Sequence, residues 1–510
     1  MIGADLIVDL LSQVGVNVCI TNPGTTELPI VESLGKQHAL RFVLALQEGV
    51  ATGAADGAFR VSNELCCALL HLGPGLMNGA SFLHDARRSR TPILVLVGQH
   101  VRSHLNYDPP LSSDIASLSA SVCVYYSEIA APENIVEELL SAIEAAMERR
   151  GPAVVSIPHD VQTASVGETQ QERYRSFVMP GALSALRTSE IEQVASRIEQ
   201  GDQVMFFVGG RSLEPYTLTR LGHLKRRYPL EVLIETFPSV LKRGNQFPDF
   251  DKLPYFPDAA QAILPKLGYF VLLGALNPVS FFAFGDGKSL LLPEEVEIIE
   301  LVTPSELAEA TMDLLLTRLG VQIPGEEPLV STSEFANSLG GMISKHIGEG
   351  DIVVDEGRTG VPDLFMELAK AKPHTYLGHN GGAIGEGMPL GVGAALVAPG
   401  NLVWVVQADG GGMYAPQALW TMAREQLEVK VVIVSNRAYR ILELEMQRAE
   451  MSITDEVSKL TSLTDPEINW CQLANSMGVP STCCHTLEDL DEALSIARAT
   501  RGPYLIEMNV

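Results

Sequence analysis

The sequence predicts an α/β protein of three domains, each with a mainly parallel sheet flanked by helices. Short β-rich apolar segments alternate with helical segments along the chain, and two polar stretches, 163–186 and 320–333, interrupt them. The 510 residues are enough for roughly three domains of about 150 residues. The two outer regions also finish with similar phrases, RRGPAVVSIP and TRGPYLIEMN, which indicates related outer domains. The predicted domains are 1–165, 187–320 and 333–510.

Composition limits the classes of protein and partner. Apolar residues make up 46% and charged residues 19% of the chain, which favours a large core over disorder. The net charge of −26 predicts a surface that repels nucleic acid and anionic membranes. Seven cysteines without a CxxC spacing are typical of buried thiols in a reducing, cytoplasmic compartment. We expect no signal peptide. We also expect no membrane span, because no uncharged apolar run reaches about 18 residues.

Polar residues follow the predicted strands of the first domain, where open parallel sheets bind ligands. The strands are predicted at NVCIT, FVLAL, CCALLHL, PILVLVG and AVVSIP. A predicted helix rich in glycine and alanine begins directly after the second of these strands. The residues that the sequence places at these strand ends are Asn22, Gly24, Thr25, Gln47, Glu48, His71, Gln99 and His100.

The third domain places an acid and an amide after neighbouring strands. Asp409 follows VWVVQA and Asn436 follows VVIVS, 27 residues later. Gly410 and Gly411 can expose backbone N–H groups to an anion such as a diphosphate. Asp409, Asn436 and the carbonyl of Ala438 are suitable ligands for Mg²⁺. The alternative is that Asp409 caps a helix and Asn436 makes a turn, but the pairing of two strand ends favours a ligand site.

A second GDG, at 285–287, tests this interpretation. The residue 27 positions beyond Asp286 is Asp313, which lies inside a helical pattern rather than after a strand. We therefore predict that Asp286 lies in a surface turn.

These motifs resemble the thiamine-diphosphate-dependent decarboxylases and carboligases, a family that includes acetolactate synthase, pyruvate oxidase and benzoylformate decarboxylase. The family's diphosphate motif, GDG followed later by NN, is similar to ADG and SN here, with Ala408 and Ser435 as departures. NPGTTELP and LALQEGVATGAADGAFR resemble the family's first domain, and ALWTMAREQLEVKVVIVSNRAY resembles its third. The resemblance implies a pyrimidine-binding domain, a central domain and a diphosphate-binding domain.

The resemblance also implies thiamine diphosphate and Mg²⁺ as cofactors, and a residue set to hold them. Glu48 would contact the pyrimidine, where a carboxyl group favours the imino form that deprotonates the thiazolium carbon. The carbonyl of Gly382 would accept from the 4′-amino group, and Ile384 would wedge the cofactor into a bent form. The alternative for Glu48 is an ordinary acid at a helix N-terminus. The cofactor-binding residues are then Glu48, Thr359, Gly382, Ile384, Asp409, Gly410, Gly411 and Asn436.

Three further residues match catalytic positions of the family. His71 corresponds to an active-site histidine that moves a proton or orients the substrate carboxylate, although a lone histidine is more often structural. Thr25 stands where benzoylformate decarboxylase has a serine that contacts the substrate, or it caps a helix. Gln99 stands where many members have a glutamine near the reacting centre.

Two departures in the central domain modify the expected function. Phe281 and Phe282 lie where the decarboxylases have a second histidine, which weakly favours attack on a second carbonyl compound over protonation. The alternative is that both are core residues. Acetolactate synthases and pyruvate oxidase bind FAD in this domain, but no GxGxxG follows a central strand here, so FAD is not expected.

The resemblance therefore implies an enzyme that decarboxylates a 2-oxo acid and then protonates the resulting enamine or joins it to an acceptor. It implies a homodimer or homotetramer, with 440–465 as a mobile closing segment and an unspecified substrate side chain. One alternative is a 2-hydroxyacyl-CoA lyase, which needs a basic patch for which HLKRRYPL is the best candidate. The other is a non-catalytic cofactor-binding homologue.

Overall fold

Three predominantly parallel sheets form the structure, which is a computed structural model, and they confirm the predicted fold class. The domain boundaries remain predictions, and Asp286 lies outside the described residues. The described residues are 1–36, 40–167, 174–182, 184, 186–283, 287, 289–322 and 334–510. They form two compact units: unit 1 is Met1–Pro180, Phe335–Glu367 and His379–Val510, and unit 2 is Gly181–Glu334 and Leu368–Gly378.

The first sheet of unit 1 has six parallel strands in the order β2-β1-β3-β4-β6-β5. Its central strands come from unbroken apolar runs, because both faces of a parallel sheet are covered by helices. The strands are β1 Val18–Thr21, β2 Arg41–Leu44, β3 Cys66–His71, β4 Ile93–Gln99, β5 Tyr125–Glu128 and β6 Pro152–Pro158. The helices are α1 Gly3–Gln13, α2 Leu28–Lys36, α3 Glu48–Ser62, α4 Leu72–Arg88, α5 Arg102–Leu105, α6 Ile115–Ser119, α7 Ile135–Arg149 and α8 His159–Thr163.

Unit 2 contains a four-stranded parallel sheet in the order β11-β10-β7-β8 and an antiparallel pair, β9 with β13. The strands are β7 Val204–Val208, β8 Leu230–Ile234, β9 Val240–Arg243, β10 Gly268–Leu273, β11 Val296–Val302 and β13 His374–Gly378. The helices are α9 Thr188–Gln200, α10 Pro215–Arg227, α11 Pro257–Ile263 and α12 Glu309–Arg318.

The second sheet of unit 1 has the parallel order β16-β17-β15-β14-β12. The strands are β12 Ile352–Glu356, β14 Val403–Ala408, β15 Val429–Ser435, β16 Ser481–Cys484 and β17 Tyr504–Asn509. The helices are α13 Leu339–Lys345, α14 Leu364–Leu368, α15 Gly387–Val397, α16 Asp409–Gly412, α17 Ala418–Arg424, α18 Arg440–Arg448, α19 Asp455–Thr461, α20 Trp470–Ser476 and α21 Leu487–Ala499.

Two buried helices, α3 and α15, pack against each other between the two sheets of unit 1. A Cβ atom built on Gly393 would lie 1.9 Å from the carbonyl oxygen of Ala54, and one on Gly57 would lie 2.2 Å from that of Leu390. Glycine is therefore required where the two backbones meet. This contact positions the polar start of α3 relative to the loop that leads into α15.

Several local predictions differ from the structure. The predicted linker at 163–186 contains Tyr174, which is 2% exposed in the core and donates its hydroxyl to Asp9. Helix α13 begins at Leu339, directly after the predicted linker at 320–333 and five further residues, because the Ser338 side chain caps it by accepting from the Gly341 N–H at 3.1 Å. Strands β5, β9 and β16 were not predicted, since none of them comes from an unbroken apolar run.

The structure also describes two features of the predicted substrate region. Phe281 is 48% and Phe282 57% exposed, so neither is a core residue. The Phe281 ring lies 5.1 Å from that of Phe237 and 5.0 Å from that of Tyr255. Helix α18, within the predicted closing segment, has no buried residue.

The cysteines are free, and Cys19, Cys66, Cys67, Cys123 and Cys484 are buried. Over the described part of the chain, each helix is too short or too polar to cross a membrane.

The α3–α15 contact predicts a stability difference between two glycines. Gly393→Ala should destabilise unit 1 by about 1–3 kcal/mol, because the added methyl group would overlap a backbone oxygen. Gly35→Ala is the control, since nothing lies within 4 Å of a Cβ atom at that helical position. It should be neutral or stabilising by up to about 1 kcal/mol. Urea denaturation followed by circular dichroism measures both; equal midpoints would contradict the close packing.

Candidate active site

Asp409 lies at the carboxyl end of β14 with its carboxylate turned inward and only 1% exposed. Its Oδ1 accepts from the Gly410 N–H at 2.9 Å, and its Oδ2 accepts from the Arg437 N–H at 2.8 Å and the Ser435 hydroxyl at 3.4 Å. Burial raises the pKa of Asp409, which these hydrogen bonds partly offset.

These donors to Asp409 are all neutral, and within the described residues no basic side chain forms an ion pair with it. A buried carboxylate is costly without a compensating cation, so a divalent ion with oxygen ligands fits this position. Asn436 directly follows β15, the strand paired with β14, and its Oδ1 accepts from the Ala438 N–H at 3.1 Å. The three predicted metal-ligating residues therefore lie at adjoining strand ends, and the turn considered as the alternative for Asn436 is also formed.

The glycines after Asp409 are required by packing. A Cβ atom on Gly410 would lie 2.8 Å from the Tyr439 ring, and one on Gly412 would lie 2.7 Å from the Trp470 ring. Gln407, which the sequence analysis did not single out, lies beneath this turn. Both polar atoms of its buried amide have no hydrogen-bond partner among the described residues. The predicted diphosphate turn is thus held against an aromatic and polar layer.

Glu48 is the first residue of α3, which Gln47 caps by accepting from the Val50 N–H at 3.1 Å. The Glu48 side chain is turned towards α4 and is 8% exposed as a residue. Its Oε2 accepts from the Asn78 amide at 3.0 Å, and its Oε1 lies 3.3 Å from a Cβ atom built on Gly75. Glu48 is therefore a fixed and nearly buried acid rather than a solvated one at a helix end.

His71 ends β3 and is held by a buried acid. Its Nδ1 lies 2.9 Å from Oε2 of Glu27 and 3.1 Å from Oγ1 of Thr26. Glu27 is fully buried and also accepts from the Gly24 N–H at 2.9 Å. The hydrogen bond to Glu27 raises the pKa of His71, with the negative charge of Glu48 adding to the shift. Because 21% of the His71 side chain is exposed, this imidazole can reach a ligand.

The neighbouring residues show how closely this group is packed. A Cβ atom on Gly98 would lie 1.7 Å from Oε1 of Glu27, and one on Gly24 would lie 2.1 Å from Nδ1 of His71. Gln99 follows Gly98 at the end of β4 and is 4% exposed. Thr25 is exposed, so Thr26 rather than Thr25 contacts His71. The substrate role assigned to Thr25, like that of Gln99, stays a prediction.

The loop that carries Gly382 and Ile384 is fixed by a buried histidine and acid that the sequence analysis missed. Nε2 of His379 donates to Asp85 at 2.9 Å and to the Ala383 carbonyl at 3.0 Å. The Ala383 N–H donates to the other oxygen of Asp85 at 3.1 Å. Burial lowers the pKa of His379 to about 4, so the imidazole is neutral and accepts from Arg358 at Nδ1, 2.6 Å away.

A second buried acid shapes the end of this loop. Glu356, at the end of β12, accepts from the N–H groups of Gly385 and Gly387, both at 2.6 Å. Gly382 and Gly385 have φ values of 92° and 99°, which favour glycine. Thr359 lies half-buried in the short helical turn just after β12, and its cofactor role stays a prediction. The backbone of the loop is therefore preorganised by side chains from other strands and helices.

A small cavity of about 120 Å³ lies between the start of α3 and this loop. Gln47, Gly49, Phe82, Ile384 and Tyr414 contribute to its lining. Typical ligand pockets occupy about 300–1,000 Å³. Glu48 is not among the lining residues, and over the described residues no hydrogen bond joins it to Asp409.

Comparison with known proteins identifies the family of this chain. The chain matches the family described as "Thiamine pyrophosphate enzyme, N-terminal TPP binding domain" over residues 1–118 and its "C-terminal TPP binding domain" over residues 363–508. A Mycobacterium tuberculosis protein, provisionally named acetolactate synthase large subunit IlvX, is 36% identical across 100% of this chain and 99% of its own. Benzoylformate decarboxylase of Pseudomonas aeruginosa is 26% identical across 98% and 97% of the two chains.

A solved structure shares the whole fold. The thiamine-diphosphate-dependent 4-hydroxybenzoylformate decarboxylase of Rhodococcus jostii RHA1 has a TM-score of 0.85 at 23% identity, over 99% of this chain and 98% of its own. The chain belongs to the thiamine-pyrophosphate-dependent enzyme family that includes acetolactate synthase and benzoylformate decarboxylase. The predicted resemblance and enzyme class are confirmed, and both matched domains are thiamine-pyrophosphate-binding domains.

The Glu27–His71 contact predicts a pH effect. Glu27→Gln removes the acceptor charge that raises the pKa of His71, so that pKa should fall. In the wild type, the pKa of His71 is higher in the folded state than in the unfolded state, where it is about 6.5. Protonated His71 therefore stabilises the fold below the unfolded-state pKa, and this stabilisation is lost as the pH rises through the folded-state pKa. Titration of the His71 ring protons by NMR should show the shift to lower pH in Glu27→Gln. Glu32→Gln is the control, because Glu32 is exposed and pairs with Lys36; an unchanged His71 titration in Glu27→Gln would exclude this electrostatic role.

Proposed function

We propose that the protein is a Mg²⁺- and thiamine-diphosphate-dependent enzyme that decarboxylates a 2-oxo acid. The product fragment is then protonated or joined to a second carbonyl compound. The observation that carries this proposal is the buried carboxylate of Asp409, surrounded by neutral donors at the start of a glycine turn. Its membership of a thiamine-pyrophosphate-dependent family supplies the cofactor class.

Residues of the second sheet would hold the charged half of the cofactor. Asp409, Asn436 and the Ala438 carbonyl are the proposed Mg²⁺ ligands, and the N–H groups of Gly410 and Gly411 are proposed to bind the diphosphate. Thiamine diphosphate, when bound, supplies a carbon nucleophile and an electron sink for the loss of CO₂.

The remaining residues would bind the cofactor ring and the substrate. The Gly382 carbonyl and Ile384 would orient the aminopyrimidine, and Glu48 would hold a proton at its ring nitrogen. His71, with its pKa raised by Glu27, carries positive charge to a higher pH than a free histidine. It would orient the carboxylate of a 2-oxo acid or donate a proton. Gln99 and Thr25 are proposed as further substrate contacts.

We propose that two copies of the chain complete each site. Over the described residues of one chain, no hydrogen bond joins Glu48 to Asp409, and the cavity beside Ile384 is small, which supports this proposal. A homodimer is the minimum that would join them, and a homotetramer would contain two such dimers. The free thiols support a reducing, cytoplasmic location.

Carboligation is the second candidate function. The stretch GALNPVSFFAFGDG contains Phe281 and Phe282 but no histidine, so it offers no imidazole to protonate the product fragment. An acceptor carbonyl compound would then compete more effectively for it. A CoA-linked substrate is less well supported. Within the basic stretch HLKRRYPL, Nζ of Lys225 forms an ion pair with Oε2 of Glu231 at 2.6 Å, so this positive charge is already balanced.

The flavin prediction also concerns unit 2. The Glu235 carboxylate accepts from the Gly210 N–H at 2.8 Å, in the turn after β7. A negatively charged side chain there would repel a nucleotide phosphate. We therefore propose that catalysis does not need FAD.

A product screen tests the proposed function. The purified protein would be supplied with Mg²⁺, thiamine diphosphate and either pyruvate or benzoylformate, with and without an aldehyde acceptor. The expected result is CO₂ release with an aldehyde or a hydroxyketone as product, measured by chromatography. Absence of CO₂ from a broad panel of 2-oxo acids, in protein that binds the cofactor, would contradict the proposal.

Glu48→Gln separates catalysis from binding in this assay. The amide keeps the shape and the contact with Asn78 but holds a proton less effectively, so kcat should fall by at least about 10²-fold. Calorimetry should show that thiamine diphosphate still binds. Glu64→Gln is the control, because Glu64 contacts Asn17 at the surface. Wild-type turnover by Glu48→Gln would refute the assigned role.

A further inference from the structure

A cluster of metal-ligating side chains lies at the edge of the second sheet of unit 1, outside the proposed active site. Cys471 is the second residue of α20, Cys483 is on the edge strand β16, and Glu507 is on β17. One ligand atom from each of these side chains lies within 4.8 Å of the others. The thiols and the carboxylate therefore face a common point.

The strand register explains this convergence. Cys483 is the direct partner of Glu507 in the parallel pair of β16 and β17, so their side chains lie on the same face. Cys484, one residue later, points to the other face, where it is buried and its thiol donates to the Asp489 carbonyl. Helix α20 brings Cys471 to the same face. The backbone N–H of Cys471 donates to Oε2 of Glu507 at 3.1 Å, which holds the start of the helix against β17.

A fourth candidate ligand lies beside Cys483, although it is not one of the three residues whose ligand atoms all lie within 4.8 Å of one another. Nε2 of His485 lies 3.8 Å from the sulfur of Cys483. Zinc bonds of about 2.3 Å to sulfur and 2.0–2.1 Å to nitrogen imply ligand separations of about 3.5–3.8 Å in a tetrahedron. The two side chains thus already have nearly the separation of ligands that share one ion.

The surroundings of the cluster also suit a bound thiolate. The Asn509 amide donates to the sulfur of Cys483 at 3.1 Å, so a polar group from β17 already orients this side chain. Glu507 is 5% exposed, and over the described residues no lysine or arginine pairs with it. A cation would neutralise both groups.

We propose that Cys471, Cys483 and Glu507, with His485, form a binding site for a thiophilic divalent cation, with zinc as the expected ion. Two thiolates, an imidazole and a carboxylate form a closed tetrahedral set, which is typical of a structural rather than a catalytic site. The ion would fasten α20 and the edge strand β16 to β17.

The proposed metal site is connected to the glycine turn after Asp409 through the neighbour of Cys471. Trp470, next to Cys471, is the residue whose ring excludes a Cβ atom at Gly412. An ion at Cys471 would therefore stabilise the layer beneath the glycine turn after Asp409. The inference does not depend on the proposed reaction, because none of its ligands belongs to the proposed cofactor or substrate site.

Cobalt substitution tests the site. The full-length protein, saturated with Mg²⁺ and thiamine diphosphate and kept reduced, would be freed of transition metals and titrated with Co²⁺. We expect one equivalent per chain to produce sulfur-to-cobalt charge-transfer absorption and the intense visible bands of tetrahedral cobalt. Octahedral oxygen sites, such as the proposed Mg²⁺ site, give neither signal. Zinc should displace the cobalt and raise the melting temperature.

Variants on the two faces of β16 provide the controls. Cys483→Ser is at an exposed position, so it should fold and remain active while the charge-transfer band weakens markedly, because only the Cys471 sulfur remains. Cys484→Ser keeps a hydroxyl for the Asp489 carbonyl and should retain the full band. The proposal is overturned if the reduced wild type shows no such band or if Cys483→Ser keeps it at full intensity. It is also overturned if the reduced protein does not bind cobalt and mild oxidation instead forms a disulfide between Cys471 and Cys483.

Discussion

The buried carboxylate of Asp409 is the physical constraint on which the proposed cofactor site depends. It lies at a strand end where three neutral groups donate to it and no described cation balances its charge. Burial raises its pKa, because it disfavours the charged carboxylate. A divalent ion would favour the charged form, and it can bind the carboxylate and the oxygens of a diphosphate at the same time.

The same device, a buried acid that accepts from backbone or imidazole N–H groups, recurs around the site. Glu27 holds His71, Asp85 holds His379 and the Ala383 N–H, and Glu356 holds the turn before α15. Each acid holds a strand end or a loop by hydrogen bonds, and fixed positions are needed to preorganise a reacting group. The contact between α3 and α15 then fixes these loops relative to each other within unit 1.

The sequence was informative where strands are long and apolar. Strands β4, β14 and β15 each come from an unbroken apolar run, so the residues that follow them, including Asp409 and Asn436, could be assigned to one edge of a sheet. Glu48 could be placed because it begins a helix directly after a strand. Strands β5, β9 and β16 contain polar or charged residues rather than an unbroken apolar run, so they carry too little pattern for such an assignment.

The sequence did not indicate the residues around the candidate site whose contacts join distant parts of the chain. Asp85 meets His379 only in the folded chain, and Glu356 meets Gly387 in the same way. Thr26 was passed over for its neighbour Thr25 because sequence spacing does not show which hydroxyl turns inward. Glu27 had a local signal, since an acid three residues after Gly24 can accept from its N–H, but its contact with His71 is tertiary.

Calorimetric titration with thiamine diphosphate tests the central role of Asp409 most directly. With Mg²⁺ present, the wild type should bind the cofactor, and with a chelator its affinity should fall by more than about tenfold. Asp409→Asn should bind weakly in both conditions, because it lacks the charge that holds the ion. Equal binding by the wild type with and without Mg²⁺, or full Mg²⁺-dependent affinity in Asp409→Asn, would contradict this role.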